Sequence, residues 1–343
     1  MERQLRCYWV EGSFDSPTSR VGEVSLDDLP SGEVRIAVEY SSLNYKDALA
    51  CQAHRGIIRN LPHIPGVDAA GTVLADSSGT YKVGQPVLVT GYDLGQGHWG
   101  AWCEQIRVPA DWVVPLPANL SPRESMLLGT AGFTAGQSVL ALRQSLVLPT
   151  ESNGPDVNAT GDIVVTGATG GVGSLAVQML SRLGYTVVAV TGKPEQAEWL
   201  HSIGAAKVVS REEVLNDSKR PLASSRWAGG VDTVGGEMLT SVLRSTKYGG
   251  CVTACGLVAG DQLNMTVYPF LLRGVRLAGI ASADCPYDRR LQVWNSIAGD
   301  WKPEQLESNV TEVGLEGLSE QVNKILAGKV AGRVLVRVGD RPV

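Results

Sequence analysis

Residues 163–184, IVVTGATGGVGSLAVQMLSRLG, constrain the fold more than any other part of the chain. Ile163, Val164 and Val165 form a β-branched apolar run, the composition of a strand covered on both faces of a parallel sheet. Gly167, Gly170, Gly171 and Gly173 follow. Val172, Leu175, Ala176, Met179, Leu180 and Leu183 then recur at the spacing of one helix face. Gly184 stands where a left-handed cap closes such a helix. A turn of this kind presents bare N–H groups, at the positive end of a helix, to a pyrophosphate. The spacing is G-x-x-G-x-x-G rather than G-x-G-x-x-G, so alone it also describes a tight turn with no ligand. A strand at residues 185–190 completes the strand-helix-strand unit that a dinucleotide fold requires.

The end of that second strand selects between cofactors. NAD-binding folds place Asp or Glu there, about 20 residues on, to hold the ribose 2′-hydroxyl. Here the residues are Thr191, Gly192 and Lys193. No carboxylate repels a 2′-phosphate and Lys193 attracts one, so the expected cofactor is NADPH.

With 343 residues the chain should hold two domains. The 43% hydrophobic and 19% charged content is that of a globular protein. The net charge is −5 with scattered Lys and Arg, which argues against nucleic acid as a partner. No apolar run approaches the ~20 residues of a membrane span, and the N-terminus lacks a signal-peptide core. A cytoplasmic enzyme is expected. Cys7, Cys51, Cys103, Cys251, Cys255 and Cys285 form no C-x-x-C and have no His at metal spacing, so reduced thiols and no metal are expected. In a reducing compartment the Asn158-Ala159-Thr160 sequon has no glycosylation meaning.

Residues 1–125 read as mostly β, with strands at 34–40, 71–74 and 86–90, the spacing of a barrel-like domain. The 91–102 loop, GYDLGQGHWGAW, reads either as substrate-facing or as packed structure. Residues 121–146 turn helical behind a capping box of Ser121 and Glu124. Residues 147–161 are a polar loop of no assigned function. Helices at 195–203 and 237–245 alternate with strands at 207–210, 230–234, 251–254 and 275–280, giving a doubly wound parallel sheet. The 275–280 strand should lie at the sheet edge, and pairing with a two-fold mate would make a homodimer. A helix at 315–326 and an alternating strand at 333–338 return to the first domain. The expected division is 1–125 with 301–343, and 126–300.

With a barrel-like N-terminal part, a nucleotide fold inserted after it and a return at the C-terminus, this α/β chain resembles the medium-chain dehydrogenase/reductase superfamily along its whole length, which implies a GroES-like barrel with an inserted Rossmann domain. Zinc members carry Cys, His and Asp where this chain has Asn44-Tyr45-Lys46-Asp47, and Gly-His-Glu where it has Gly66-Val67-Asp68. The ligand residues and the four-cysteine structural lobe are missing, so it resembles the zinc-free, quinone-oxidoreductase-like branch. SSLNYKDALA, GIIRNLPHIPGVD, GTAGFTA, VTGATGGVG, VDTVGG and YGGCVTACGL together resemble the bacterial acrylyl-CoA reductase group. The resemblance implies NADPH-dependent reduction of the carbon–carbon double bond of a short 2-enoyl-CoA. A quinone or enone reductase and a non-catalytic NADPH-binding protein are the alternatives. Cofactor contacts carry over to Tyr45, Thr169, Gly170, Gly171, Val172, Thr191, Gly192, Lys193, Arg211, Leu257, Leu271, Ser282 and Arg333. Lys193 departs from the Arg of close relatives and cannot grip a phosphate with a bidentate fork.

Without a metal, an activated alkene needs donors for the developing enolate and a proton for the α-carbon. Tyr45 and Asn44 are the candidate catalytic residues. Lys46 is expected to pair with Asp47 or with Asp68. Arg55, Arg59 and Arg107 are candidates for a cationic rim toward the CoA phosphates.

Overall fold

The computed structural model describes residues 3–146, 161–215 and 220–339. The polar loop, Gly161 apart, and the Asn158 sequon lie outside the described residues. In chain order, β1 (Gln4–Ser13), β2 (Ser16–Ser25), β3 (Val34–Leu43), α1 (Tyr45–Cys51), β4 (Asp68–Asp76), β5 (Pro86–Thr90), β6 (Gln105–Val108) and β7 (Val114–Pro115) precede the long α2 (Pro122–Ser145). An alternating run follows: β8 (Ile163–Val165), α3 (Gly171–Arg182), β9 (Val187–Thr191), α4 (Ala197–Ser202), β10 (Lys207–Ser210), α5 (Arg211–Leu215), β11 (Trp227–Asp232), α6 (Gly236–Arg244), β12 (Thr246–Ala254), α7 (Tyr268–Arg273) and β13 (Arg276–Gly279). The chain closes with α8 (Tyr287–Ala298), β14 (Val310–Val313), α9 (Leu318–Leu326) and β15 (Arg333–Arg337). These elements divide into two compact units.

The first unit comprises Met1–Thr130, Ala283–Gln292 and Leu306–Val343. Its main sheet runs β14-β15-β3-β4-β5-β7, with β6 also on β3, and a separate β1–β2 hairpin pairs over its full length. β3 is the spine, because its Val and Ile side chains are buried and it pairs with three strands. The C-terminal β15 lies antiparallel to it, Val334 opposite Leu43, so the C-terminal segment joins the sheet built around β3. Ile36, Val73, Val87, Trp102 and Val336 are among the side chains of one continuous core.

The second unit comprises Ala131–Ser282 and Val293–Gln305. Its six parallel strands run β10-β9-β8-β11-β12-β13. This is the doubly wound order of a dinucleotide-binding sheet, in which ligands sit outside the C-terminal strand ends at the switch point. Every residue of β8 and β9 is buried, as a strand covered on both faces must be. β13 is an edge strand.

Several expected elements sit where the sequence places them, with ends moved by a few residues. Ser121 and Glu124 form the reciprocal cap ahead of α2, with N–H contacts of 2.9 and 3.1 Å. Gly184 takes φ 83° after α3. The expectation that no segment is long and apolar enough for a membrane span needs correcting. α2 has that length and composition, and 94% of its most apolar window is buried, as in the core helix of a globular protein. The helical readings at 195–203 and 315–326 each resolve into a 3₁₀ turn followed by a shorter α-helix.

Candidate functional site

In the first unit, β3 ends in Ser41, Ser42 and Leu43, and the chain turns through Asn44 into α1. Asn44 is extended and its N–H donates to the Asp47 carboxylate at 2.8 Å, a helix start with its acid three residues in. The other Asp47 oxygen accepts the N–H groups of Val67 at 2.9 Å and Gly66 at 3.2 Å. This buried carboxylate thus ties α1 to the turn before β4. Burial, and then the charge of Asp68, push its pKa up to about 7 despite those donors. Lys46 is exposed, and among the described residues no ion pair joins it to Asp47 or Asp68, so both expected pairings are corrected. The physical reason is that each carboxylate is already held by neutral donors in a dry site.

Asp68 is the hub of that site. It is fully buried. One oxygen accepts the Ser42 hydroxyl at 2.5 Å, the Asn44 amide at 2.8 Å and the Thr130 N–H at 2.9 Å, and the other accepts the Thr130 hydroxyl at 2.6 Å. The second Asn44 amide contact goes to Ser42 at 3.1 Å, and its carbonyl oxygen accepts from Arg333 at 3.3 Å. Asn44 therefore directs its amide inward, and its N–H groups are engaged by the protein.

Arg333 opens β15 and is buried. Its Nε donates to the Leu127 carbonyl at 2.8 Å, while Nη2 is buried with no partner among the described residues. Burial lowers its pKa, and the charges of Asp68 and Asp47 oppose the shift. An unpartnered buried N–H in a native protein calls for an explanation, and a ligand atom is a sufficient one. Room for this cluster exists because α2 is broken at Gly129, φ 52° and ψ −154°, with no side chain there. Tyr45, next to Asn44, is 44% exposed, so it is not a packed barrel tyrosine.

The 91–102 loop resolves as packed on its interior side. Leu94, Ala101 and Trp102 are buried, and the Trp102 indole donates to the Ser42 carbonyl at 3.3 Å. Arg55 pairs with Asp15 at 3.9 Å and Arg59 with Asp93 at 3.3 Å, so these two rim candidates lean on carboxylates. Arg107 is half-buried on β6.

In the second unit the C-terminal ends of β8, β9 and β10 carry the expected cofactor residues. Gly170 is the N-cap of α3, no side chain caps that end, and the first turn holds no acid. Beside Gly170 an added Cβ would meet only the Gly167 carbonyl at 3.3 Å. At Gly173 an added Cβ would fall 2.4 Å from the Gly167 carbonyl oxygen, so only glycine lets the helix meet the turn. Thr169 is buried in that turn, and Gly171 and Val172 are half-buried in the first turn of α3. Thr191 and Ser210 are register partners on β9 and β10. The Thr191 hydroxyl accepts the Lys193 N–H at 3.0 Å, and the Arg211 guanidinium lies against Gly192. Partial burial lowers the Lys193 pKa, Glu195 opposes this, and Arg211 adds to it. Two cations and an uncapped helix end fit a phosphorylated dinucleotide.

Ends of β11 and β12 pack on each other through glycines. Asp232 is buried and accepts the Thr166 hydroxyl at 2.7 Å and the Gly235 N–H at 2.7 Å. Leu257 beyond β12 and Leu271 on α7 are exposed, and Ser282 is half-buried after β13. Tyr45 and Arg333 belong to the first unit, and the other expected cofactor residues to the second.

Sequence reasoning missed Asp68, Thr130 and Ser42 as members of the site. The available signal was the conjunction of the strings SSLN, GVD and GTAG, each containing one of these residues.

Family models for an alcohol dehydrogenase GroES-like domain match residues 30–118, and for a zinc-binding dehydrogenase residues 171–298. The chain is 48% identical over 318 residues to acrylyl-CoA reductase AcuI of Ruegeria pomeroyi, covering 93% of this chain and 94% of that one. It is 45% identical over 339 residues to YhfP of Bacillus subtilis, provisionally named a quinone oxidoreductase, covering 98% and 100%. The crystal structure of the yhdH oxidoreductase from Salmonella enterica in complex with NADP superimposes with a TM-score of 0.91 at 43% identity, over 97% of this chain and 100% of that one. Bacillus subtilis yhfP with NAD bound gives 0.92 at 44% identity, over 98% and 99%.

The chain belongs to the medium-chain dehydrogenase/reductase family, as an oxidoreductase of the quinone-oxidoreductase-like branch that holds the acrylyl-CoA reductases. Catalytic zinc, which other members of that family carry, does not fit this donor set. Asn44, Tyr45 and Val67 supply neither thiolate nor imidazole, and the Asp47 and Asp68 oxygens already accept protein donors.

Proposed function

We propose that this protein reduces the carbon–carbon double bond of acrylyl-CoA or a similarly short 2-enoyl-CoA with NADPH. The observation that carries the reading is the buried Asp68 cluster with a spare Arg333 N–H, one residue along from an exposed tyrosine. Thr169, Gly170, Gly171, Val172 and Thr191 would hold the dinucleotide backbone, and Lys193 with Arg211 the 2′-phosphate. Leu257, Leu271 and Ser282 would border it. The cofactor, when bound, supplies a hydride to the substrate β-carbon. Negative charge then grows on the thioester oxygen, where preorganised N–H and O–H donors lower the barrier. Arg333 Nη2 is such a donor, and Asn44 orients its guanidinium through Nη1. Tyr45 delivers the α-proton. A rate panel of acryloyl-CoA, crotonoyl-CoA and a quinone with NADPH tests the reading, and acryloyl-CoA should give the highest kcat/KM. The provisional name of YhfP supports quinone reduction as the second reading.

Lys193→Ala should weaken NADPH by roughly ten- to a hundredfold, the loss of one charge-assisted hydrogen bond, and leave NADH nearly unchanged. Titration with both cofactors checks this. Equal weakening of both would mean that Lys193 acts on the fold.

The homodimer reading is supported by the β13 edge and its apolar surroundings. Leu271 is 74% and Leu272 61% exposed on α7, with Leu277 exposed on β13 itself. An edge with this much apolar surface calls for a mate. Light scattering at micromolar concentration should give about twice the chain mass, and a monomeric mass would contradict it. Six free thiols suit a reducing, cytoplasmic setting.

A further inference from the structure

We propose that Arg290 is a positioning residue for the substrate side of the site, acting by clamping Tyr92 in a left-handed conformation. The inference rests on the enoyl-CoA reading above. Tyr92 takes φ 52°, a region that a bulky residue occupies only when its surroundings force it to. It is the second residue of the 91–102 loop, which follows β5 directly. The forcing contacts are all present. Arg290, fully buried near the start of α8, donates through Nη1 to the Thr90 carbonyl at 2.6 Å and the Thr90 hydroxyl at 3.0 Å. Its Nη2 donates to the Ala283 carbonyl at 2.9 Å, which also accepts the Tyr92 N–H at 3.0 Å. The guanidinium lies 4.2 Å from the Tyr92 ring centroid. That ring stacks on Trp112, centroids 5.4 Å apart and planes 3° apart.

Burying a charge is costly unless it is hydrogen-bonded, and here the Thr90 and Ala283 oxygens and the Tyr92 ring face offset that cost. What Arg290 fixes here borders the Asp68 cluster. Thr90 is the register partner of Asp68 across β4 and β5, and the Gly91 N–H donates to the Val67 carbonyl at 3.0 Å. Farther along, the loop presses on the same turn, since an added Cβ at Gly95 would fall 2.8 Å from the Gly66 carbonyl carbon. Holding Tyr92 left-handed therefore aims the loop along the residues that precede Asp68. Misplacing substrate-positioning groups by about 1 Å can lose up to about a hundredfold in rate.

Glycine adopts this φ without a clamp, which supplies the decisive experiment. Arg290→Gln should lower kcat/KM for acryloyl-CoA roughly ten- to a hundredfold, leave the NADPH KM unchanged and lower the thermal midpoint. Adding Tyr92→Gly to Arg290→Gln should restore most of both kcat/KM and the midpoint. A general structural role would predict no rescue, so a double variant no better than Arg290→Gln overturns the proposal, as does wild-type kcat/KM in Arg290→Gln. If wild-type protein does not turn over acryloyl-CoA, the substrate reading fails by itself. The rescue of the thermal midpoint then still decides whether Arg290 clamps Tyr92.

Discussion

Replacing Tyr45 with phenylalanine should lower kcat for acryloyl-CoA by roughly 10²–10⁴-fold, the usual worth of a positioned general acid, with NADPH affinity nearly kept. The argument is local. Tyr45 is the first residue of α1, its neighbour Asn44 is fixed by Asp68 and Arg333, and its side chain is exposed. Helix start and polar cluster therefore hold the backbone still while the phenol stays accessible. Phenylalanine keeps the ring and removes only the hydroxyl, so the loss should fall on kcat rather than on cofactor binding. A tyrosine that only packs on the nicotinamide behaves differently: phenylalanine is then nearly neutral, and alanine raises the NADPH KM. Steady-state kinetics of the two variants separates these roles, and near-wild-type turnover by Tyr45→Phe would end the proton-donor reading.

Gly129→Ala should be as damaging by a different route. At φ 52° and ψ −154° the backbone is in a region open essentially to glycine, so strain alone costs about 1–3 kcal/mol. The new methyl would also fall 2.5 Å from the Asp68 carboxylate, 3.0 Å from the Ser42 hydroxyl and 3.1 Å from Arg333 Nη2. It would occupy the space beside the one spare donor of the cluster. A lowered thermal midpoint together with a steep fall in kcat is expected. Wild-type midpoint and turnover would mean that the break in α2 serves neither packing nor the site.

Much of the second unit was legible because its signals are local. The β-branched run, the glycine turn and the 3.6-residue apolar period all lie within residues 163–184, and the strand order follows from right-handed crossovers. The Ser121–Glu124 cap and the Gly184 terminator are likewise decided within a few residues. The α1 helix was not read, because Asn44 and Asp47 were weighed as chemistry and not as a cap. α8 was missed too, its apolar side being interrupted by Asp288, Arg289 and Arg290. The Asp68 cluster was least legible. Arg333 reaches Asn44 across 289 positions and Leu127 across 206, and no periodicity in the chain encodes such a contact. Nor does a sequence reveal that both Asn44 N–H groups point inward, leaving the spare donor on Arg333.

The central claim is that this chain moves a hydride from NADPH to the β-carbon of a short enoyl-CoA. The most direct measurement supplies the purified protein with acryloyl-CoA and NADPH deuterated at the transferred position, and reads the product by mass spectrometry. The account predicts propionyl-CoA carrying one deuterium at the β-carbon, formed in step with NADPH oxidation. Unchanged acryloyl-CoA, with NADPH oxidised only when a quinone is present, would contradict it.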